Sequence, residues 1–194
     1  MMKYVLMALV FVAASAQGAD IYKVDAAASS VAWKGFKKMG SSHDGGISVK
    51  EGTVTVDKDN VTAGEVVVDM KTITNNDLKD SADYQKKLVG HLSSEDFFNV
   101  EKYPTSTFKI TKVSKVKKET IVKGELTMIG QTHPVEFPIK VTIDKGTATG
   151  EGTLKIDRTK WGLKYGSGNF FKELAGDKII SDEFELTLKL VAKK

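Results

Sequence analysis

The chain contains no cysteine, which excludes disulfides, an acylated lipoprotein cysteine and any thiol nucleophile. Histidine is almost as scarce. His43, His91 and His133 lie far apart, without H-x-x-x-H spacing or a facing carboxylate pattern, so no metal centre is expected. No G-x-S-x-G elbow is present, and Ser42-His43-Asp44, although it holds the three residue types of a hydrolase triad, is contiguous and cannot supply triad geometry by itself. It reads as a polar loop before Gly45-Gly46. Gly146-Thr-Ala-Thr-Gly150-Glu-Gly152 lacks the strand-to-helix setting of a phosphate loop and reads as a strand. No catalytic residues and no cofactor are therefore expected.

The remainder is that of an ordinary globular chain. At 194 residues, with 41% hydrophobic and 28% charged residues, it fits one domain with a sizeable core and is neither disordered nor a membrane protein throughout. The first residues differ. Lys3 precedes an apolar run through Ala14 that is too short to span a bilayer. Ala14-Ser15-Ala16 then provides an A-x-A site, so residues 1–16 read as a secretory signal peptide, with 18 or 19 as other possible ends. The rival reading is an uncleaved anchor. The expected mature unit, residues 20–194, is then a free protein of the periplasm or the exterior, with no stable membrane insertion, as monomer or homodimer. Loss of Lys3 lowers the formal charge from +4 to +3. The one basic cluster, Lys112, Lys115, Lys117 and Lys118, has no interleaved aromatics and reads as a solvated hairpin end, so nucleic acid is not an expected partner.

Period-two alternation dominates after residue 20. Val66, Val68 and Met70 share one face against Glu65, Asp69 and Lys71, and Phe108 and Ile110 repeat the pattern. Val122, Gly124, Leu126 and Met128 follow, then Val135, Phe137, Ile139, Val141 and Ile143, then Ala148, Gly150, Gly152, Leu154 and Ile156. Phe184, Leu186, Leu188 and Leu190 give the clearest alternation of all. Asp57-Lys-Asp-Asn60, Gly130-Gln-Thr132 and Asp144-Lys-Gly146 carry turn chemistry between runs of about ten residues. The pattern is an antiparallel meander whose apolar faces must meet. A closed barrel removes the exposed edges that a sandwich would keep.

Residues 74–98 break the rhythm. Asn75 and Asn76 are candidate caps for a helix starting near Asp77, with Tyr84, Leu88 and His91 on one face. Ser93 or Ser94 caps a second short turn carrying Glu95 and Asp96 at its positive end, with Phe97 and Phe98 as its apolar load. Pro104 stops any helix and returns the chain to a strand. The segment reads as a plug or lid spliced between two strands, a helical insertion around residues 76–98.

These residues resemble a known family. HLSSEDFFNVEKYPTSTF at residues 91–108, Trp33-Lys-Gly35, Gly124-Glu-Leu-Thr-Met-Ile-Gly130, Asp157-Arg-Thr-Lys-Trp-Gly162 and Asp182-Glu-Phe-Glu-Leu-Thr-Leu188 are similar to the YceI-like proteins along the whole mature chain. The resemblance implies an all-β, lipocalin-like antiparallel barrel of eight strands, exported to the periplasm, whose elongated interior takes a polyisoprenoid or similar amphiphile. It brings no catalytic set. Ala28-Ser29-Ser30 stand where the family commonly has a His-Ser pair.

Gly124, Ala148, Gly150 and Gly152 strip side chains from the presumed inward face, which suggests a cavity, although barrel glycines also serve bending. Such a cavity suits hydrocarbon, with each methylene worth roughly 0.8 kcal/mol on burial. The candidate lipid-binding side chains are Trp33, Val66, Val68, Met70, Leu88, Phe97, Phe98, Phe108 and Ile110, with Leu126, Met128, Phe137, Ile139, Leu154, Trp161, Phe184 and Leu186. Met70 and Met128 suit a flexible guest. Trp33 and Trp161 need partners for their indole N–H at a rim or in the core. The expected ligand is a polyisoprenoid, an isoprenoid quinone or another long-chain amphiphilic lipid. An exported enzyme using His43 or His91 as base, and a barrel filled by its own side chains, are the alternatives.

Overall fold

A computed structural model describes residues 18–117 and 119–194, so the expected signal peptide lies outside the described residues. The alternating segments form nine strands: β1 (Asp20–Val24), β2 (Ser30–Lys37), β3 (Ser42–Asp57), β4 (Asn60–Asp69), β5 (Thr105–Val116), β6 (Glu119–Met128), β7 (Gln131–Asp144), β8 (Thr147–Asp157) and β9 (Ile180–Lys193). All pairings are antiparallel, and the sheet closes because β3 pairs with β4 on one side and with β2 and β1 on the other. The barrel nevertheless has eight staves. Both β1 and β2 sit between β3 and β9, β1 opposite residues 53–56 of β3 and β2 opposite residues 42–47, so they are two halves of one interrupted strand. Ser29 repairs the ladder at the interruption: its hydroxyl accepts from Val191 N–H at 3.0 Å and donates to the Asp25 carbonyl at 2.7 Å.

Tight turns lie between β3 and β4 at Lys58–Asp59, between β6 and β7 at Ile129–Gly130 and between β7 and β8 at Lys145–Gly146, each pair with both φ angles positive. That is the backbone twist two-residue hairpins require. The second turn sits one residue earlier than expected, and Gln131 and Thr132 already belong to β7.

In an antiparallel barrel successive connections alternate between the two ends. The β2–β3 hairpin (residues 38–41), the insertion between β4 and β5 (residues 70–104) and the connection between β8 and β9 (residues 158–179) therefore share one end. The opposite end is filled by Tyr22, Val56, Ala148 and Ala192, with Val24, Val54, Val61 and Ile143 packed against them. A second apolar cluster joins Val122, Leu126, Met128, Phe137, Leu154, Ile156 and Trp161.

The insertion departs from expectation at its start. Its helix, α1, runs from Ala82 to Ser93, and Ser81 precedes it without a capping side-chain bond. Asn75 caps a separate turn and ties it to β3: almost fully buried, it accepts from Leu78 N–H, donates to the Asp77 carboxylate, and donates to the Asp44 carbonyl at 3.0 Å. The helix begins only after this turn. Tyr84 is 67% exposed and does not share the packed face of Leu88 and His91. Ser94 does cap the turn beyond the helix, accepting from Asp96 N–H and donating to the His91 carbonyl.

Candidate functional site

Behind the insertion lies a cavity of about 650 Å³. Its walls are the inward faces of the strands. Val66, Val68 and Met70 come from β4 and its end, Phe108 from β5, Leu126 and Met128 from β6, and Phe137 from β7. Leu154 comes from β8 and Phe184 and Leu186 from β9, while Trp33 stands on β2. Leu88 of α1 and Phe97 and Phe98 of the following turn close it from above. The inward residues of β9 (Phe184, Leu186, Leu188 and Leu190) are only partly buried although they face the interior. Apolar side chains pointing inward yet still in contact with open volume mark a barrel that its own residues do not fill.

Three expected lining residues lie elsewhere. Trp161 belongs to the second apolar cluster, Ile110 and Ile139 pack against it, and none of the three lines the cavity. Trp161, 1% exposed, donates its indole N–H to the Leu126 carbonyl at 2.9 Å and meets the His133 ring edge-on at 5.0 Å. It is a core anchor. Its place is set by a short 3-10 turn, Arg158–Trp161, in which the Asp157 carboxylate accepts from Thr159 N–H and hydroxyl and Gly162 ends the turn at φ 83°. Trp33 serves both purposes foreseen for a tryptophan, lining the cavity while donating its N–H to the Thr74 carbonyl at 3.0 Å. Gly45 lies directly beneath that bond, where a β-carbon would overlap the Thr74 carbonyl; this close approach is why the position is glycine.

The glycines do not create the void. A β-carbon at Gly124 would collide with the Phe108 ring, and one at Gly150 or Gly152 would meet Ile139. Large side chains of neighbouring strands lean into the stripped positions and fill them. None of Gly124, Ala148, Gly150 and Gly152 lines the cavity. The open volume sits nearer the mouth, where Val31, Ile47, Ile73, Leu163 and Ile180 complete the wall. Alternation with Trp33 could have revealed Val31, but no periodicity marks the loop residues Tyr165, Phe171 and Leu174, which also line it.

Two segments distant in sequence meet over this mouth. The His91 ring stands edge-on to Phe97 at 5.0 Å and to Tyr165 at 4.5 Å, and Phe97 and Tyr165 lie 5.4 Å apart. Such aromatic pairs contribute about 0.5–1.5 kcal/mol each beyond area burial. His91 Nε2 also lies 3.4 Å from the Asp96 carboxylate. The insertion and the β8–β9 connection thus form one cover.

The polar residues of the wall are mostly committed to structure. His43 Nδ1 is 2.8 Å from Asp77, which also accepts from Asp44 N–H and from Asn75. Burial would raise the Asp77 carboxyl, but these hydrogen bonds outweigh it and hold the group below its ordinary range. Arg158, 4% exposed, donates to the carbonyls of Ser181, Leu163 and Ile180, with Asp182 3.7 Å away. Burial lowers its pKa, opposed by Asp182 and Asp157. The guanidinium ties the β8–β9 connection to the barrel. Among the described residues no group of three or more His, Asp or Glu side chains is placed to hold a metal, and no helix is long and apolar enough to cross a membrane.

Comparison with known proteins agrees with this geometry. "Protein YceI" of Escherichia coli O6:H1 is 34% identical over 139 residues, covering 69% of this chain and 67% of that protein. The crystal structure of Burkholderia cenocepacia BcnA superposes with a TM-score of 0.67 at 26% identity, over 88% of this chain and 99% of the other. A polyisoprenoid binding domain from Saccharophagus degradans superposes with a TM-score of 0.64 over 89% and 97% of the two chains, its 16% identity marking a shared fold. The YceI-like domain model matches residues 22–192, and on that extent the chain belongs to the YceI-like family.

Proposed function

We propose that this protein binds one amphiphilic lipid, of the polyisoprenoid or isoprenoid quinone class, inside the barrel, and carries or stores it outside the cytoplasm. The observation that carries the reading is the unfilled apolar cavity of about 650 Å³ under a two-part cover. At about 30 Å³ for a water-sized group it holds on the order of 20 carbon-sized groups, or roughly four prenyl units. At ~0.8 kcal/mol each, these groups gain roughly 16 kcal/mol before association and ordering costs of ~4–15 kcal/mol. The remainder, about 1–12 kcal/mol, reaches micromolar binding at about 8 kcal/mol and nanomolar binding at its upper end. Longer chains extend through the mouth. The polyisoprenoid binding domain of Saccharophagus degradans, which shares the fold, supports the ligand class. The family supports a binding role and a periplasmic location.

Mass spectrometry of organic extracts from protein purified out of its own host tests the reading. A stoichiometric long-chain lipid is the expected result, and an empty, stably folded protein that takes up no added prenyl lipid overturns it. A hydrolytic role for His43 has less support, because its Asp77 partner is shared with Asp44 and Asn75 in fastening the insertion.

A further inference from the structure

The lip of the cavity is chemically lopsided. Four of the seven most exposed large hydrophobic side chains lie on two neighbouring segments of the mouth: Met39, 65% exposed, on the β2–β3 hairpin, and Tyr165, Phe170 and Phe171, 41–48% exposed, on the β8–β9 connection. The segments touch. Lys38 N–H donates to the Ile179 carbonyl at 2.9 Å, and the Met39 sulfur lies against Gly176. Between these apolar groups stand five exposed lysines, Lys37, Lys38, Lys164, Lys172 and Lys178, against the carboxylates Glu173 and Asp177. Among the described residues the lysine ion pairs engage Lys71, Lys123, Lys155, Lys193 and Lys194 and none of these five. Lys164 Nζ stands 4.7 Å from the Phe170 ring centroid. The facing lip is mixed: the insertion exposes Asp80, Asp83, Glu95 and Asp96 together with Lys79, Lys86 and Lys87, and its exposed large hydrophobic side chain is Tyr84.

We propose that the basic, aromatic lip formed by residues 37–39 and 164–178 docks on the surface of an anionic phospholipid bilayer, with the cavity mouth against the membrane. Exposed aromatic and methionine side chains interleaved with lysines match the interfacial region of such a bilayer, the apolar groups entering between acyl chains while the amines meet lipid phosphates. A protein partner would need no continuity with the cavity. Here Tyr165 and Phe171 both face solvent and line the interior, so a hydrocarbon tail drawn from the bilayer passes from acyl chains to the barrel without crossing water. The inference rests on the lipid-binding reading for its purpose, but the docking itself is measured separately.

Cosedimentation of the purified protein with phosphatidylcholine vesicles, with and without phosphatidylglycerol, tests it. Association is expected with the phosphatidylglycerol vesicles, weaker with neutral ones and falling with added salt. Lys164→Gln and Lys172→Gln each weaken it by about five-fold, and Phe170→Ser by about ten-fold. Phe170, Lys164 and Lys172 do not line the cavity, so uptake of a pyrene-labelled hydrocarbon from solution stays unchanged in these variants. No association, equal association with neutral vesicles, or native-like association of all three variants overturns the docking surface. Vesicle association without hydrocarbon uptake would leave the docking surface standing and remove the lipid-binding reading.

Discussion

The ring of Phe108 on β5 lies over Gly124 of the neighbouring strand, occupying the place where a β-carbon at that position would stand. An aromatic ring covering a cross-strand glycine restores the packing that the glycine gives up. Gly124→Val sets a side chain against the Phe108 ring and the Lys109 carbonyl and is expected to cost about 1–3 kcal/mol. A lower urea midpoint at unchanged slope is the measurement, and a native midpoint would show that Phe108 has somewhere else to go.

Leu188 faces the open volume from β9 and is only partly buried. Leu188→Trp adds an indole to empty space rather than to a packed core, so the fold should survive while the guest loses room. Prenyl-lipid binding, followed by intrinsic fluorescence, is expected to weaken by about ten-fold, equivalent to ~1.4 kcal/mol. Unchanged affinity in the folded variant would place the ligand somewhere other than the barrel interior.

Tyr165 joins the two parts of the cover through His91 and Phe97. Tyr165→Ala removes both aromatic contacts, together worth about 1–3 kcal/mol. If the cover gates the cavity, lipid dissociation into acceptor vesicles should quicken by about ten-fold, alongside the fall in unfolding midpoint that the lost contacts bring. An unchanged rate would mark the cover as a static plug.

The carboxyl of Asp77 sits below its ordinary value of 3.8 in the folded state. The folded protein therefore favours the ionised form more than the unfolded chain does. That stabilisation is complete above about pH 4 and is lost as pH falls through the lowered folded value. Below about pH 4 the fastening between the insertion and β3 loosens, and amide exchange at residues 74–80 should rise before the barrel opens. Asp77→Asn should flatten this part of the acid profile while leaving other carboxylates, such as Asp25 beside Lys193, to titrate as before. An identical profile in the variant would assign the acid response elsewhere.

Which side chains point inward was legible along the chain. Val66, Leu126, Phe137, Leu154 and Leu186 lie on the cavity wall because alternation with a period of two is a property of each strand alone. The turn at Lys145–Gly146 and the break at residues 74–98 followed from equally local chemistry. The helix start at Ala82 did not, because the caps nominated for it were drawn into ties with β3. The alternation left both a sandwich and a barrel open, and the pairing of β3 with β4 closes the sheet. Ile110, Ile139 and Trp161 pack with the core cluster and do not reach the open volume, which no local pattern shows.

Height within the barrel, and the shape of its empty volume, belong to the tertiary structure. Whether a glycine leaves a hole depends on what the next strand leans into it, as Phe108 does at Gly124 and Ile139 at Gly150. Which end is open depends on Tyr22, Val56, Ala148 and Ala192 meeting from strands distant in sequence. Tyr165 and Phe171 join the lip only because the β8–β9 connection ends beside the insertion. The sequence alone determined the face of each strand, since that is set by neighbours in the chain; packing across the closed sheet decided where space remained, since that is set by neighbours in space.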